Sequence, residues 1–451
     1  RGSPSRRRHP WPFAASPQAA AEEFEHDWTE AEWGWRAATR GYAPHIARSD
    51  AADCLHAQVG WLLGVSQLDE ASAGARMDTA WLRVAALLRA GQAAVAREWI
   101  ERAAAGVTTN GWVPAIIAPE GQGISSVGQE GRHDSQGQFV FMVMEYYRYT
   151  KDLAFLRDNY PAIRSALEYL RRLRRGLEPD EARLPGDQRD LVEGLLPLSG
   201  ARPGFPQPLH LYADNFWALL GWKEGRAAAA ALGWVDDVRW ADHDYQKLRA
   251  ALQRSIRARL ERHDGEWLPA AVEEDLFDVQ TVALLLWPCD EPGLLEPHEI
   301  QSSLDWFYAD FLRRDGANGS ARSFTDEGLL LGALAGMGRG DYAREVLYAL
   351  LGNRYPSGWH VWADAAARDR RQPRQLRGMP DIRAAAGYVI GARGLAARET
   401  GGRLDLFSGA PAEWLQHGRG FKVFGMPTAF GPLDFSGFWK ANCLSVDIGG
   451  G

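Results

Sequence analysis

Residues 273–278 read EEDLFD, placing four carboxyl groups, those of Glu273, Glu274, Asp275 and Asp278, directly ahead of the apolar run VALLL. Two kinds of chemistry suit such a cluster. Asp278 can cap a helix by accepting hydrogen bonds from its first free amides, while its neighbours face the positive end of the helix dipole. Alternatively, carboxyls crowded beside Trp267 and Phe277 cannot all ionise in their ordinary range. One of them then keeps a proton near neutrality and can donate it to a leaving oxygen.

The pattern around the cluster is helical, and the helices come in pairs. "DTAWLRVAALL" has apolar spacing for one helix, breaks at "RAGQ", and resumes as "AAVAREWIERAAAG". "GQFVFMVMEYYRY" stops at "TKD", where Asp152 can cap "LAFLRDNYPAIRSALEYLRRLRRG". "NFWALLGWKEGRAAAAALG" begins a third pair, and "VQTVALLLW" with "QSSLDWFYADFLRR" makes a fourth. "GLLLGALAGM" turns at "GRGD" into "YAREVLYALLGN", and "IRAAAGYVIGARGLAARE" is the first half of a sixth. The earlier stretch "DAADCLHAQVGWLLGVSQ" leaves the count open by one, and only the tail from "FKVFGMP" onward reads as strands and turns.

Each of the more apolar helices is opened by an acid: Asp78, Asp134, Asp214, Asp278, Asp326 with Glu327, and Asp381. Singly, each is a cap. If the apolar helices run parallel as the inner wall of a ring, the six N-termini and their acids converge on one depression. The connections 106–133, 176–212 and 352–380, long and rich in Gly, Pro and Trp, would wall it.

Composition narrows the classes. Hydrophobic residues make up 46% and charged residues 24%, as in a globular chain with a large core. A net charge of -7 argues against a broad nucleic-acid surface. Cys54, Cys289 and Cys443 lack metal spacing and read as free thiols. No apolar run reaches the ~20 residues that span a bilayer. No Gly-rich phosphate loop and no HExxH pairing is present, so neither a nucleotide, a metal nor another cofactor is expected. The 19 tryptophans suit both core packing and stacking on sugars.

The set "MDTAWLRVAALLRAG", "HDSQGQFVFMVMEYYRYTKD", "GLLPLSGARPGF", "LYADNFWALLGW", "LPAAVEEDLFD", "GWHVWAD" and "GAPAEWL" resembles, in order, the six-hairpin glycosidase superfamily. It is most similar to a group of large bacterial proteins that join this domain to β-sandwich modules. The resemblance implies an all-α (α/α)6 toroid over residues 45–430. Residues 1–44 would be a linker and leading helix, and 431–451 the start of a β segment. It also implies a carbohydrate substrate, a longer multi-domain chain, and a secreted or periplasmic setting, although no signal segment is visible.

The family's hydrolases mostly invert, with an acid and a base about 6.5–9.5 Å apart. By resemblance, Glu273 is the first candidate for the acid and Asp278 the second, with Glu274 and Asp275 solvated. For the base, Asp364 in "GWHVWAD" stands where relatives carry a glutamate, and Glu413 in "GAPAEWL" competes with it. Asp78, His133, Asp134, Tyr212, Asp214, Trp217, Trp359 and Trp362 are candidate sugar-binding residues. Relatives have an adjacent Arg-Asp pair where Met77 here separates Arg76 from Asp78. They also place His and Trp after Met-Pro, where this chain has Asp381, Ile382 and Arg383. Two other readings stay open. One is a toroid that binds glycans without cutting them. The other is a polysaccharide lyase using Tyr212 and His210 as proton carriers.

Overall fold

The computed structural model describes residues 49–64, 75–117, 132–175, 191–200, 205, 207–262, 267–313, 322–366, 378–416, 420–440 and 443–450. The segment expected as a linker and leading helix, 1–44, lies outside them, as do parts of the three long connections. Twelve α-helices occur among the described residues. They are α1 Ser49–Gly64, α2 Met77–Arg89, α3 Ala93–Ala105, α4 Ser135–Thr150, α5 Leu153–Arg175, α6 Tyr212–Leu232, α7 Val235–Arg262, α8 Val279–Leu286, α9 Pro297–Arg313, α10 Phe324–Gly336, α11 Gly340–Gly352 and α12 Ile382–Ala396.

The even-numbered helices pack in a closed ring, α2 on α4, then α6, α8, α10, α12 and back to α2. Each odd-numbered helix packs outside an even one, and α1 covers α12. The early helix thus supplies the missing half of the sixth hairpin, so the fold is an (α/α)6 toroid. Burial follows the layers. In α12 every residue except Arg383 is buried, as an inner helix requires. Outer α5 buries only the stripe Phe155, Leu156, Asn159, Tyr160, Ile163, Ala166, Leu167 and Leu170. Leu330, Leu331 and Leu334 of α10 are each 0% exposed, and each contributes about 2 kcal/mol by leaving water.

Inner helices start where the sequence placed acids. Asp278 caps α8, accepting from the Gln280 and Thr281 amides at 3.3 and 3.0 Å. Asp381 caps α12 through the Ala384 amide at 2.8 Å. Asp152 accepts from the Phe155 amide at the start of α5 at 2.9 Å. Such caps are worth about 1 kcal/mol each. A glycine seam brings α10 and α12 together: a Cβ on Gly387 would lie 2.8 Å from the Thr325 carbonyl oxygen, and one on Gly391 would lie 2.0 Å from that of Gly328. Only glycine allows backbones this close.

The segments ahead of the inner helices are stitched in neighbouring pairs. Strand β1 (Ala75–Arg76), before α2, pairs with β2 (Ile116–Ile117), which precedes α4. Leu211, before α6, bridges Ala271, before α8. Strand β3 (Arg322–Ser323), before α10, pairs with β4 (Ala365–Ala366), which precedes α12. Two short ladders and one bridge therefore fix one rim of the ring. Strands follow at once after α12: β5 Ala397–Thr400 with β6 Arg403–Leu406, then the antiparallel sheet β7 Phe421–Met426, β8 Leu433–Lys440 and β9 Cys443–Gly450.

This β portion docks at the opposite end of the ring. Glu399 of β5 meets Arg393 at 3.0 Å and Arg89, the last residue of α2, at 3.8 Å, and accepts from the Tyr149 hydroxyl at 2.7 Å. Arg89 also pairs with Glu145 at 2.7 Å, and Arg148 joins Glu145 at 2.9 Å and Glu224. Alternating charges thus close the toroid from below.

Candidate active site

At the stitched rim lies a cavity of about 760 Å³ lined by first-turn residues of all six inner helices. That size suits a small-molecule ligand. Seven aspartates and three arginines line it. The floor is aromatic. Trp81 meets Trp217 edge to face at 4.8 Å and Trp287 at 6.0 Å, and Phe141 closes the group from below, 6.0 Å from Trp217. Arg89 of the far-end network stacks under Trp287 at 5.0 Å. Among the described residues the cavity is therefore closed from below, a blind pocket.

Most of the aspartates have defined partners. Asp78 is bonded to Arg76 and lies 3.6 Å from Arg132. Burial alone would raise its pKa, but the Arg76 hydrogen bonds, aided by Arg383 and Arg132, bring it down to about 2. Asp134 pairs with Arg132 at 2.8 Å. Asp214, buried, accepts from the Ser199 hydroxyl. Asp278 and Asp381 serve as caps, and burial together with the nearby Asp364 charge raises the Asp381 carboxyl.

Two aspartates stand apart. Asp326, 7% exposed, keeps one carboxyl oxygen buried without a hydrogen-bond partner. Burial is the main reason its pKa rises to about 6; Arg383 opposes that rise and Asp278 reinforces it. Asp364 lies beside Ala365 of β4, across the ladder from Ser323, the residue that caps the Asp326 helix. Among the described residues, Asp364 neither caps a helix nor pairs with an arginine. The β3–β4 ladder thus seats the two carboxyls on neighbouring segments of the rim.

Of the residues singled out from sequence, Asp78, Asp134, Asp214, Trp217, Asp278 and Asp364 line the cavity together, and so do Asp326 and Asp381 of the helix-opening series. The others do not. Glu273 is turned to His210, accepting from its backbone amide at 3.0 Å and meeting its ring nitrogen. Burial would raise the Glu273 pKa, but His210 outweighs it and lowers it, opposite to what a proton-retaining acid needs. Glu413 sits in a short 3-10 turn, Ala412–Leu415, beyond the C-terminus of α12 and beside β8, away from the rim. His133 is buried with Nε2 3.2 Å from the Leu198 carbonyl. Tyr212 is bonded to Ser255 of outer helix α7 at 2.8 Å, and Trp362 donates to the Leu350 carbonyl at 3.0 Å inside the core. Trp359 is 66% exposed outside the cavity. Neither Tyr212 nor His210, the proton carriers a lyase would need, lines the cavity.

Several lining residues had been given no catalytic or sugar-binding role from sequence. Trp81 follows Asp78 by three positions and so shares its helix face, a spacing visible in sequence. Trp287 closes α8, and Arg132 precedes Asp134 by two. Asp326 and Asp381 belong to the series of helix-opening acids. Arg383 occupies the position where the chain departs from its relatives.

No family model and no curated protein matches the sequence. Solved structures do. The chain is similar to a GH78 family rhamnosidase of Bacillus sp. GL1, with 13% identity and a TM-score of 0.63 over 90% of this chain and 41% of that one. It is also similar to an α-L-rhamnosidase from Dictyoglumus thermophilum, with 14% identity and a TM-score of 0.58 over 90% and 44%. A third is a Streptomyces avermitilis α-L-rhamnosidase complexed with L-rhamnose, with 15% identity and a TM-score of 0.55 over 90% and 37%. The chain spans less than half the length of each. At these identities the likeness shows the fold alone, the (α/α)6 toroid described above. No helix among the described residues is long and apolar enough to cross a membrane.

Proposed function

We propose that the chain is a glycoside hydrolase that takes the terminal sugar of a glycan into the blind cavity and cleaves its glycosidic bond with inversion. The observation that carries this reading is Asp326, a buried carboxyl raised to about 6 in a cavity whose other aspartates are mostly committed to caps and arginines. Asp326 donates its proton to the glycosidic oxygen as the bond to the anomeric carbon breaks. Asp364 takes a proton from the water that attacks that carbon from the opposite face. The tryptophan floor supports the sugar ring, while Asp78, Asp134 and Asp214 accept from its hydroxyls. The named activity of the three fold neighbours, and the L-rhamnose in one of them, make α-L-rhamnosides the first substrates to test.

The test is hydrolysis of a panel of aryl glycosides and oligosaccharides. Asp326→Asn and Asp364→Asn each lower kcat by about 10²–10⁴, the usual contribution of a positioned acid or base. Azide restores turnover in the Asp364 variant by replacing the activated water. Unchanged rates in both variants refute the assignment. A second reading, a toroid that holds glycans without cutting them, is favoured by the commitment of five of the seven aspartates to other partners. Sugar binding with no cleavage of any panel member decides for it.

A further inference from the structure

The cavity does not end at its rim. Leu276 and Phe277 line it, and Phe277 packs against Trp306 of outer helix α9 with ring centroids 4.3 Å apart. Trp267 completes the group, 5.8 Å from Phe277 and 5.9 Å from Trp306. Leu276 and Trp306 are each 40% exposed. An apolar surface therefore begins inside the cavity and continues outward over the outer layer of the toroid.

The packing of α9 does not demand this arrangement. The helix is anchored by Ile300, Ser303, Leu304, Phe307 and Phe311, which form its buried stripe. Trp306 lies off that stripe, beside exposed Asp305. Polar groups border the aromatic surface. Gln207 and Glu274 are bonded to each other, Asp275 is held by Arg259, and Gln301 donates to Asp305 at 2.9 Å. An exposed indole at the edge of such a cluster, bordered by amides and carboxylates, suits a pyranose, whose C–H face packs on one aromatic ring while its hydroxyls reach sideways.

We infer that Leu276, Phe277, Trp306 and Trp267 form the leaving-group subsite, which holds the second pyranose of the substrate, the one on the far side of the bond to be cut. This rests on the cavity being the site for the terminal sugar. The occupant follows from continuity: a sugar bonded to one in the cavity and pointing out of the rim must pass over a wall, and Phe277 with Trp306 is an aromatic wall that continues from the cavity onto the outer layer. Gln207 and Glu274 would orient its hydroxyls. The second unit thereby adds affinity that the terminal sugar alone lacks.

The test uses binding, so that it does not require turnover. Calorimetric titrations on the Asp326→Asn protein compare matched probes: the methyl pyranosides of L-rhamnose, L-fucose, D-glucose and D-xylose, and the disaccharides these sugars form with a reducing-end glucose. At least one disaccharide binds more tightly than its methyl glycoside. Adding Trp306→Ala weakens that disaccharide about 3- to 10-fold, the range of a single aromatic contact, and leaves the methyl glycoside unchanged. Trp306→Phe retains most of the gain. Trp234→Ala, which removes a tryptophan of similar exposure, 39%, from the α6–α7 turn, has no effect on either probe. The subsite is refuted if no disaccharide outbinds its methyl glycoside, or if Trp306→Ala weakens both probes alike. Trp306-dependent disaccharide binding in a protein that cleaves nothing would leave the subsite standing while removing the hydrolase reading.

Discussion

Asp326→Asn separates function from stability in a way few substitutions do. The carboxyl is buried, and its pKa is displaced from the ordinary 3.8 to about 6. A carboxyl raised in the folded state costs nothing below its unfolded pKa, because it is neutral in both states. As pH rises through 4 to 6 the unfolded chain releases the proton more readily, and folding stability is lost. At about 1.4 kcal/mol for each pH unit the full cost above pH 6 is about 3 kcal/mol. Asparagine has the shape of the neutral acid and no charge to desolvate. The variant is therefore more stable than the parent at pH 8, by about 1–3 kcal/mol, and equal to it near pH 4. Urea denaturation at the two pH values measures both differences, and hydrolysis of the best panel substrate falls by about 10²–10⁴ in the same variant. A variant less stable than the parent at pH 8 would refute the reasoning, since Asp326 would then be an ionised group held by Arg383.

Three further outcomes follow. Glu273→Gln changes kcat by less than about 3-fold, because its carboxyl is engaged by His210 outside the cavity; a loss of the size expected of a general acid returns Glu273 to the catalytic role. Glu399→Gln destabilises by about 3–5 kcal/mol at pH 7, since Arg89 and Arg393 stay buried without its charge. Glu399 is lowered to about 2 by Arg393 and Arg89 against its burial, so its contribution is present above pH 4.5 and fades towards pH 2, which acid denaturation of parent and variant reads directly. Gly387→Ala drives a methyl to 2.8 Å from the Thr325 oxygen, costing about 1–3 kcal/mol by overpacking and lowering activity through the displaced Asp326; thermal melts and kinetics check the two effects together.

The parts of this account that were legible in sequence are those fixed by local chemistry. Asp152, Asp278 and Asp381 cap helices because a carboxylate three residues ahead of a free amide does so wherever a helix begins. The convergence of acids followed from their recurrence at the starts of the apolar helices. What failed to read was set by partners distant in the chain. The Glu273 cluster suggested mutual repulsion and a raised pKa, but the bridge between Leu211 and Ala271 brings in His210, 63 positions away, and reverses the sign. Tyr212 and Trp362 open or flank inner helices, yet their polar atoms turn to Ser255 and Leu350 of the outer layer. Glu413 follows the C-terminus of α12, so the chain has already crossed to the other end of the ring. The pairing of α1 with α12, marked by the Tyr388 hydroxyl bonding the Ala51 carbonyl at 3.1 Å, joins segments 337 residues apart, a separation no local pattern encodes.

The most direct measurement is a crystal structure of the Asp326→Asn protein soaked with the tightest-binding disaccharide. The terminal ring should lie over Trp81, Trp217 and Trp287, with the glycosidic oxygen about 2.6–3.2 Å from the side chain at position 326 and Asp364 on the opposite face of the anomeric carbon. A sugar bound elsewhere on the toroid, or in the cavity with its glycosidic oxygen turned away from position 326, would contradict the account.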